Sequence, residues 1–316
     1  MRVPEDWWRK AFWRETAEAY LYLLPALVVL GVFTFYPFFN AFYLSLHDVY
    51  TVKRVGDTVI PFYKVYAGLA NYRILFGDRY FLKAIYQTSL YVGLSVPITL
   101  VLALALASFL NQGLRLRAFY RLSYFLPYVT PVAAIGLVWN WIFDWRKGLL
   151  NYFLGYVGLT PINWLNNPRY TLWALVIMNV WRFVGYQAVI LLAGMQGIDR
   201  MYYDAAKVDG ASGWRVWRHV TLPLLTPQIF FVFIMALIGS FKIYEEVVFL
   251  FSGTSGPLRS AETIVYYIVT RMFQSGPRGA SGFGPASAAS VVLFGIIFVL
   301  TLFQLLVTQR RVHYER

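Results

Sequence analysis

Six long apolar runs follow one another along the chain, separated by shorter polar segments. Five contain no charged residue and the other is interrupted only by Arg182; they cover 20–46, 84–114, 122–143, 170–196, 220–241 and 279–309. The apolar core of a bilayer needs about 20 such residues in a helix, and in lipid a helix satisfies every backbone group within its own segment. We see no succession of alternating ten-residue strands of the outer-membrane kind. The pattern predicts an all-α integral membrane protein with six transmembrane helices.

Six spans place both ends of the chain on the same side of the membrane. We predict a cytoplasmic N-terminal segment over 1–18, one transmembrane domain over 19–309, and a cytoplasmic tail over 310–316. The inside and outside segments hold nearly equal numbers of Lys and Arg, and their density is higher inside because the inside segments are shorter. The positive-inside rule therefore supports this orientation weakly.

The net charge of +13 first suggests an anionic partner. In a multi-pass membrane protein, however, Lys and Arg gather beside the spans and contact lipid headgroups. With 59% hydrophobic and 14% charged residues, we expect membrane lipid as the contact and no nucleic acid. The chain has no cysteine and three scattered histidines, so the sequence predicts no metal site.

The polar segment 197–222, between the fourth and fifth spans, has readable helix signals. Asp199 is a good N-cap for a short helix over 200–208, and Gly210 suits the left-handed conformation that ends a helix. Ser212 is placed to cap a second short helix. We therefore predict a helix, a sharp turn and a helix at the membrane face.

The same segment offers features that a second protein could contact. Ala205 and Ala206 have little bulk, and Asp204 and Asp209 supply carboxylates for a partner's Arg or backbone N–H groups. On local physics alone, a plain amphipathic interfacial helix fits equally well.

This segment resembles the E-A-A-x-x-D-G-A…L-P loop of ATP-binding-cassette importer permeases. The matching positions, at the family's spacing, are Ala205, Ala206, Asp209, Gly210, Ala211, Leu222 and Pro223. Asp204 stands where the family usually has Glu, and Trp217 where it usually has Phe. The resemblance implies that Asp204, Ala205, Ala206, Asp209, Gly210 and Ala211 form a coupling loop at about 197–222 that binds an ATPase.

The resemblance extends over about 20–308, including the FYRLSYFLPYVTP segment at 119–131, and is closest to the first permease subunit of the maltose and glycerol-phosphate type. It implies a type I importer fold in the inner membrane of a prokaryote. It also implies a second homologous permease subunit, two cytosolic ATPase subunits and an extracytoplasmic solute-binding protein. ATP and Mg would be bound by the ATPase subunits; this chain is expected to hold no cofactor and to catalyse no reaction.

Polar side chains inside the spans are candidates for solute contact, because such groups usually face a cavity or a partner. Asn179, Arg182 and Tyr186 share one helix face at i, i+3 and i+7. Ser240 and Tyr244 lie four residues apart at the end of the fifth span. Rings stack on sugars, while amides and hydroxyls bind sugar hydroxyl groups. The resemblance likewise implies solute contacts on these two helices.

A structural role for the charges is an alternative. Arg182 could pair with Glu245 or Glu246, and Lys242 is four residues from Glu246, close enough to neutralise it.

Two other function classes remain. An ion-coupled secondary transporter would need intramembrane carboxylates or broken helices for its ion, and only Glu245 and Glu246 are candidates. A membrane enzyme would need a clustered acid, base or metal site, and the sequence shows none. The sequence favours a permease subunit that imports a sugar, an oligosaccharide or a polyol phosphate.

Overall fold

A computed structural model describes residues 6–55, 58–112, 116–273 and 282–309; the tail predicted at 310–316 lies outside them. The N-terminal half contains helices and one pair of strands, in the order α1 (Asp6–Leu30), α2 (Tyr36–Ser45), β1 (His47–Val55), β2 (Thr58–Tyr66), α3 (Ala70–Gly77), α4 (Arg79–Leu110), α5 (Arg117–Val129), α6 (Val132–Ile142) and α7 (Leu149–Tyr156). The C-terminal half continues with α8 (Thr171–Gln196), α9 (Arg200–Val208), α10 (Gly213–Val216), α11 (Leu222–Leu224), α12 (Thr226–Phe241), α13 (Glu245–Leu250), α14 (Ile264–Met272) and α15 (Phe283–Gln309).

The predicted helical membrane architecture is confirmed, and two of its spans are broken. Four helical stretches of the described chain are long and apolar enough to cross a bilayer: Phe12–Ser45, Arg79–Leu110, Thr171–Gln196 and Phe283–Leu306. Two bent pairs, Ala118–Val129 with Val132–Ile142 and Gly213–Leu224 with Thr226–Phe241, bring the number to six if each pair is one span.

The described residues fall into two compact units, one within Met1–Leu75 and Arg271–Val291, the other within Phe76–Thr270 and Val292–Arg316. In the first unit, β1 and β2 form an antiparallel hairpin with His47 opposite Tyr66. The pattern of apolar runs predicted no strands here, so the hairpin is an addition to the predicted all-α fold. The buried amide of Asn71 donates to the backbone oxygens of Ser45 and His47, each at 3.1 Å, and thereby fixes the start of the hairpin.

The core of the second unit lies where α4, α8 and α12 meet. Its buried residues are Ala103, Ala107 and Leu110 from α4, Ala188, Leu191, Leu192 and Met195 from α8, and Leu225 and Val232 on and beside α12. Small residues spaced four apart let helix backbones approach closely, which drives association in membranes. The three helices therefore form a common framework for the side chains around them.

The third span breaks between Thr130 and Pro131, where α5 and α6 meet at an angle of 96°. A residue before proline is pushed out of the helical region, and Thr130 is extended, with φ −68° and ψ 136°. Pro127 and Pro131 both lie in the apolar run 122–143 that was predicted as one span, and only Pro131 separates two helices. Each half then packs separately: α5 crosses α8, and α6 packs on α13.

Candidate functional site

A cavity of about 440 Å³ lies among α4, α5, α8 and α12 and reaches the first turn of α13. Its volume is within the range of roughly 300–1,000 Å³ that is typical of small-molecule sites. Aromatic, hydroxyl and amide side chains make up much of its lining, among them Tyr91, Ser95, Thr99, Tyr128, Phe183, Tyr186, Gln187, Ser240 and Tyr244. This combination suits a ligand with both apolar faces and hydroxyl groups.

Three of the five residues singled out from the sequence, Tyr186, Ser240 and Tyr244, line this cavity. The ring of Tyr186 is stacked on Tyr128 of α5, with centroids 4.1 Å apart and planes 13° from parallel. The two rings therefore lie face to face and join α5 to α8 at the cavity lining.

Asn179 lies away from the cavity lining although it shares a helix face with Tyr186. It is 1% exposed, and its Nδ2 donates to the Leu175 carbonyl one turn earlier at 3.1 Å. Its Oδ1 has no hydrogen-bond partner among the described residues. A role of Asn179 in solute contact remains a prediction.

Arg182 forms an ion pair with Glu246 of α13. The Nη1 atom of Arg182 lies 2.6 Å from Oε1 of Glu246, and the two side chains are only 15% and 11% exposed. Of the partners considered for Arg182, Glu246 is the one that it contacts. Glu246 therefore pairs with Arg182 rather than with Lys242.

The cavity wall contributed by α4 was not predicted. Tyr91, Ser95 and Thr99 lie at i, i+4 and i+8 of α4, so they form a polar stripe along one side of the helix. Ser95 lies 3.5 Å from the Tyr91 hydroxyl, and its backbone oxygen accepts a hydrogen bond from Thr99. This spacing is visible in the sequence and could have indicated the wall.

The segment 197–222 has the helix–turn–helix form that the sequence predicted. The Asp199 carboxylate accepts a hydrogen bond from the Met201 N–H at 2.9 Å and caps α9. Gly210 has φ +69°, Gly210 N–H donates to Lys207 O, and Ala211 N–H donates to Ala206 O. This pair of bonds is the Schellman arrangement that ends a helix with a left-handed glycine. Ser212 precedes α10 but makes no side-chain cap bond.

The first turns of this segment are open to solvent in the isolated chain. Asp204, Ala205, Asp209 and Gly210 are exposed, whereas Ala206 and Ala211 are half-buried. Large apolar side chains are exposed beside them: Met201 at 66%, Val208 at 88% and Trp214 at 65%. An apolar surface next to acidic residues is typical of a protein interface.

The Asp204 carboxylate is paired within its own helix. Lys207 Nζ lies 2.9 Å from Asp204 Oδ1, and this hydrogen bond lowers the pKa of the Asp204 carboxyl below its usual value. The pair is largely exposed, so its contribution to stability is small. Asp204 therefore stays charged at neutral pH, with Lys207 as its neighbour on the same helix.

The second half of the segment is attached to α4. Trp217 Nε1 donates to Ser108 Oγ at 3.0 Å, and the Trp217 ring stacks on Trp214 at 4.9 Å. Residues Trp217–Thr221 form a π-helical turn, in which Leu222 N–H donates to Trp217 O. Such wide turns are frequent at functional sites, and here the turn precedes the donor-less Pro223. The hydrogen bond to Ser108 thus joins the second half of the segment to the end of α4.

A second, polar cavity of about 600 Å³ lies beside the opposite end of α8, lined by Asn140, Asp144, Trp145, Asn163, Asn166 and Thr254 among others. The 26 residues of α8 separate this end from segment 197–222 by about 39 Å. The Asn151 amide fixes the neighbouring segment by donating to the backbone oxygens of Trp145 and Ile162 and accepting from Trp164 Nε1.

Close by, the carboxylate of Glu262 is 1% exposed and lies 3.3 Å from Arg259. Burial raises the pKa of the Glu262 carboxyl. Within the described part of the chain, no group of three or more His, Asp or Glu side chains is placed to hold a metal ion.

The comparisons with known proteins all concern membrane transport. The family model described as "Binding-protein-dependent transport system inner membrane component" matches residues 79–313. The trehalose/maltose transport system permease protein MalF of Thermococcus litoralis is 31% identical over 303 residues, which cover 96% of this chain and 97% of that protein. The lactose transport system permease protein LacF of Rhizobium radiobacter is 32% identical over 297 residues, which cover 93% of this chain and 95% of that protein.

A third relative is the sn-glycerol-3-phosphate transport system permease protein UgpA of Yersinia enterocolitica, 30% identical over 298 residues, covering 94% of this chain and 95% of the relative. Among solved structures, a chain of a bacterial alginate transporter, in complex with an alginate pentasaccharide-bound periplasmic protein, matches with a TM-score of 0.78. The two sequences are 21% identical, and the match covers 95% of this chain and 96% of the transporter chain. This likeness shows the same fold.

Proposed function

The chain belongs to the inner membrane components of binding-protein-dependent transport systems, and from this membership we propose that it forms half of the path through which an ATP-driven importer carries a sugar, an oligosaccharide or a polyol phosphate. The observation that carries the proposal is the aromatic and hydroxyl-rich cavity among α4, α5, α8 and α12. Relatives named for trehalose or maltose, lactose and sn-glycerol-3-phosphate support this range of solutes.

Coupling to ATP hydrolysis is assigned to the exposed segment 197–222. Its partner is a cytosolic ATPase, which contacts Asp204, Ala205, Ala206, Asp209, Gly210 and Ala211. The exposed apolar side chains of Met201, Val208 and Trp214 complete the contact. The N- and C-termini then lie in the cytoplasm with this loop. Four spans separate the N-terminus from the loop and two separate the loop from the C-terminus, and both numbers are even.

The polar cavity at the far end of α8 then faces the extracytoplasmic side. It is the docking face for a solute-binding protein, because its amide and charged side chains are open to a polar partner. A second, homologous permease subunit supplies the other half of the path.

Transport follows from two states of this assembly. ATP binding closes two ATPase subunits, which carry the loop with them, and the loop moves α4 and α12 through Trp217 and Pro223. The cavity then opens outward to receive solute, and reopening of the ATPase dimer releases the solute inward. The permease contributes two arrangements of packed helices; hydrolysis, with its ATP and Mg, takes place in the partner subunits.

Reconstitution tests this proposal. The chain is placed in proteoliposomes with a second permease, two ATPase subunits and a binding protein taken from the same genome neighbourhood. We expect ATPase activity that rises at least several-fold when the solute-loaded binding protein is added. Solute uptake driven by an ion gradient without ATP would instead support a secondary transporter and overturn the proposal.

A further inference from the structure

Four ionisable side chains surround one end of the solute cavity. Lys242, Glu245 and Glu246 line it, and Arg182 lies behind Glu246 on the neighbouring helix. Lys242 and Glu245 are exposed in the isolated chain, whereas Glu246 is buried. The charge that a bound solute meets therefore depends on how these groups pair.

Arg182 and Glu246 neutralise each other at the cavity wall. Their contact of 2.6 Å joins α8 to α13, and both side chains are mostly withdrawn from solvent. Arg182 Nε is buried without a hydrogen-bond partner among the described residues, and the guanidinium lies 5.1 Å from the centroid of the Phe183 ring, which lines the cavity. Glu246 is thus the carboxylate that satisfies this cation.

An unpaired guanidinium at this position would be a strong anion site. Arg presents a planar fork of donors that matches phosphate and carboxylate oxygens. In a mostly buried position its attraction for an anion is much larger than in water. Glu246 already binds one nitrogen of this fork, Nη1, so an acidic solute would have to compete with a carboxylate that belongs to the chain.

We infer that Glu246 is a specificity-determining residue that keeps Arg182 neutralised, so that the cavity accepts neutral saccharides and rejects phosphorylated or carboxylated ones. The inference rests on the proposed function and selects one of the solute classes left open by it. Lys242 and Glu245 carry opposite charges and add no net charge to the lining. Tyr91, Ser95 and Ser240 supply uncharged hydroxyl groups beside the pair, as a neutral polyol requires.

The test measures direct binding to the assembled importer in nanodiscs without the binding protein, whose own selectivity would hide that of the cavity. One probe is a neutral disaccharide that stimulates the ATPase, found by screening a panel. The other probe is the 6-phosphate of the same disaccharide. We expect the natural chain to bind the neutral probe at least tenfold more tightly than its phosphate. In Glu246→Gln the unpaired Arg182 should shift this ratio toward the phosphate by at least tenfold.

Glu262→Gln is the matched control, because it removes the carboxylate of another Arg–Glu pair, whose members do not line the cavity. It should leave the ratio unchanged. The double variant Arg182→Gln with Glu246→Gln has neither charge. It should again bind the neutral probe more tightly than the phosphate.

If Glu246→Gln assembles poorly, Arg182→Gln provides the mirror-image test. It leaves Glu246 unpaired, and the cavity should then bind an amino-sugar disaccharide more tightly, by about the same factor, while still rejecting the phosphate.

An unchanged ratio in assembled Glu246→Gln, or a natural chain that prefers the phosphate, would overturn the inference while leaving the importer function intact. If neither a saccharide nor a polyol phosphate binds the natural chain or stimulates the ATPase, the proposed function itself fails, and the inference fails with it.

Discussion

Tyr186 and Tyr128 come from different helices and stack face to face, and the stack presents an aromatic surface to the cavity. A sugar ring has apolar C–H faces that pack on such a surface, and stacking contributes roughly 1 kcal/mol beyond the area that it buries. The contribution of Tyr186 is therefore expected to come from its ring more than from its hydroxyl.

We predict that Tyr186→Ala weakens solute binding about fivefold, which corresponds to about 1 kcal/mol. Tyr186→Phe keeps the ring and should stay within about twofold of the natural chain. The measurement is the Kd of the solute for the assembled importer in nanodiscs without the binding protein. Equal values for Tyr186→Ala and the natural chain would mean that solute passes without touching this surface.

Gly210 holds the turn between α9 and α10 in a left-handed conformation. No heavy atom outside its immediate neighbours lies within 4 Å of the position that a Cβ would take there. A side chain would thus be disfavoured by the backbone conformation alone, at a cost of about 1–2 kcal/mol.

We predict that Gly210→Ala distorts the turn and weakens binding of the ATPase subunits at least several-fold, whereas the membrane content of the chain stays normal. Gly213→Ala is the control, because Gly213 also has free space around it and lacks the positive φ. Co-purification of the ATPase with each variant measures the effect. If the two variants retain the ATPase equally well, the coupling role of the turn is contradicted.

At the level of elements, α5 and α8 cross at a point where only glycine fits. A Cβ on Gly185 would overlap the Tyr124 carbonyl oxygen. This crossing brings Tyr128 next to Tyr186, so the close approach of the two helices determines the shape of the cavity.

Gly185→Ala should force α5 and α8 apart and destabilise the assembly by about 1–3 kcal/mol, as overpacking does elsewhere. Its thermal midpoint in detergent should fall measurably. Gly93→Ala in α4 serves as comparison, since no heavy atom lies within 4 Å of the Cβ position there. An unaltered midpoint for Gly185→Ala would show that α5 can shift without loss.

The secondary-structure elements differ in how well the sequence predicts them. The helix signals of Asp199 and Gly210 are local, and both acted as predicted. The bend before Pro131 is larger than the sequence indicated. Proline restricts the backbone of the residue before it, but the angle between the two helices is determined by their packing. The hairpin at His47–Tyr66 was not predicted. Its strands pair residues up to 19 positions apart, and a search for helical periodicity does not detect such pairs.

For the whole molecule, the six apolar runs were enough to predict the class, and their number agrees with the structure when each bent pair is counted as one span. They were not enough to place the cavity. Whether Arg182 pairs with Glu245 or Glu246, and whether Asn179 points into the cavity, depends on the rotation and crossing of packed helices. These are tertiary quantities, and the local spacing of residues leaves them open.

The first span indicates that the chain needs partners. None of the most apolar window of Phe12–Ser45 is buried within the chain, so its side chains must meet lipid or another subunit. We predict that the chain purified alone does not transport solute and has a lower thermal midpoint than it has in complex with a second permease. Unaided transport by the isolated chain would contradict this prediction.

The break between α5 and α6 also bears on where lipid can touch the protein. Non-helical backbone at membrane depth is tolerated only where protein or water covers it, and Pro131 is exposed in the isolated chain. This surface is therefore turned toward a second subunit or the solute path and away from the acyl chains. Because the chain contains no cysteine, the natural sequence is itself the unreactive background for mapping that boundary with single thiol labels.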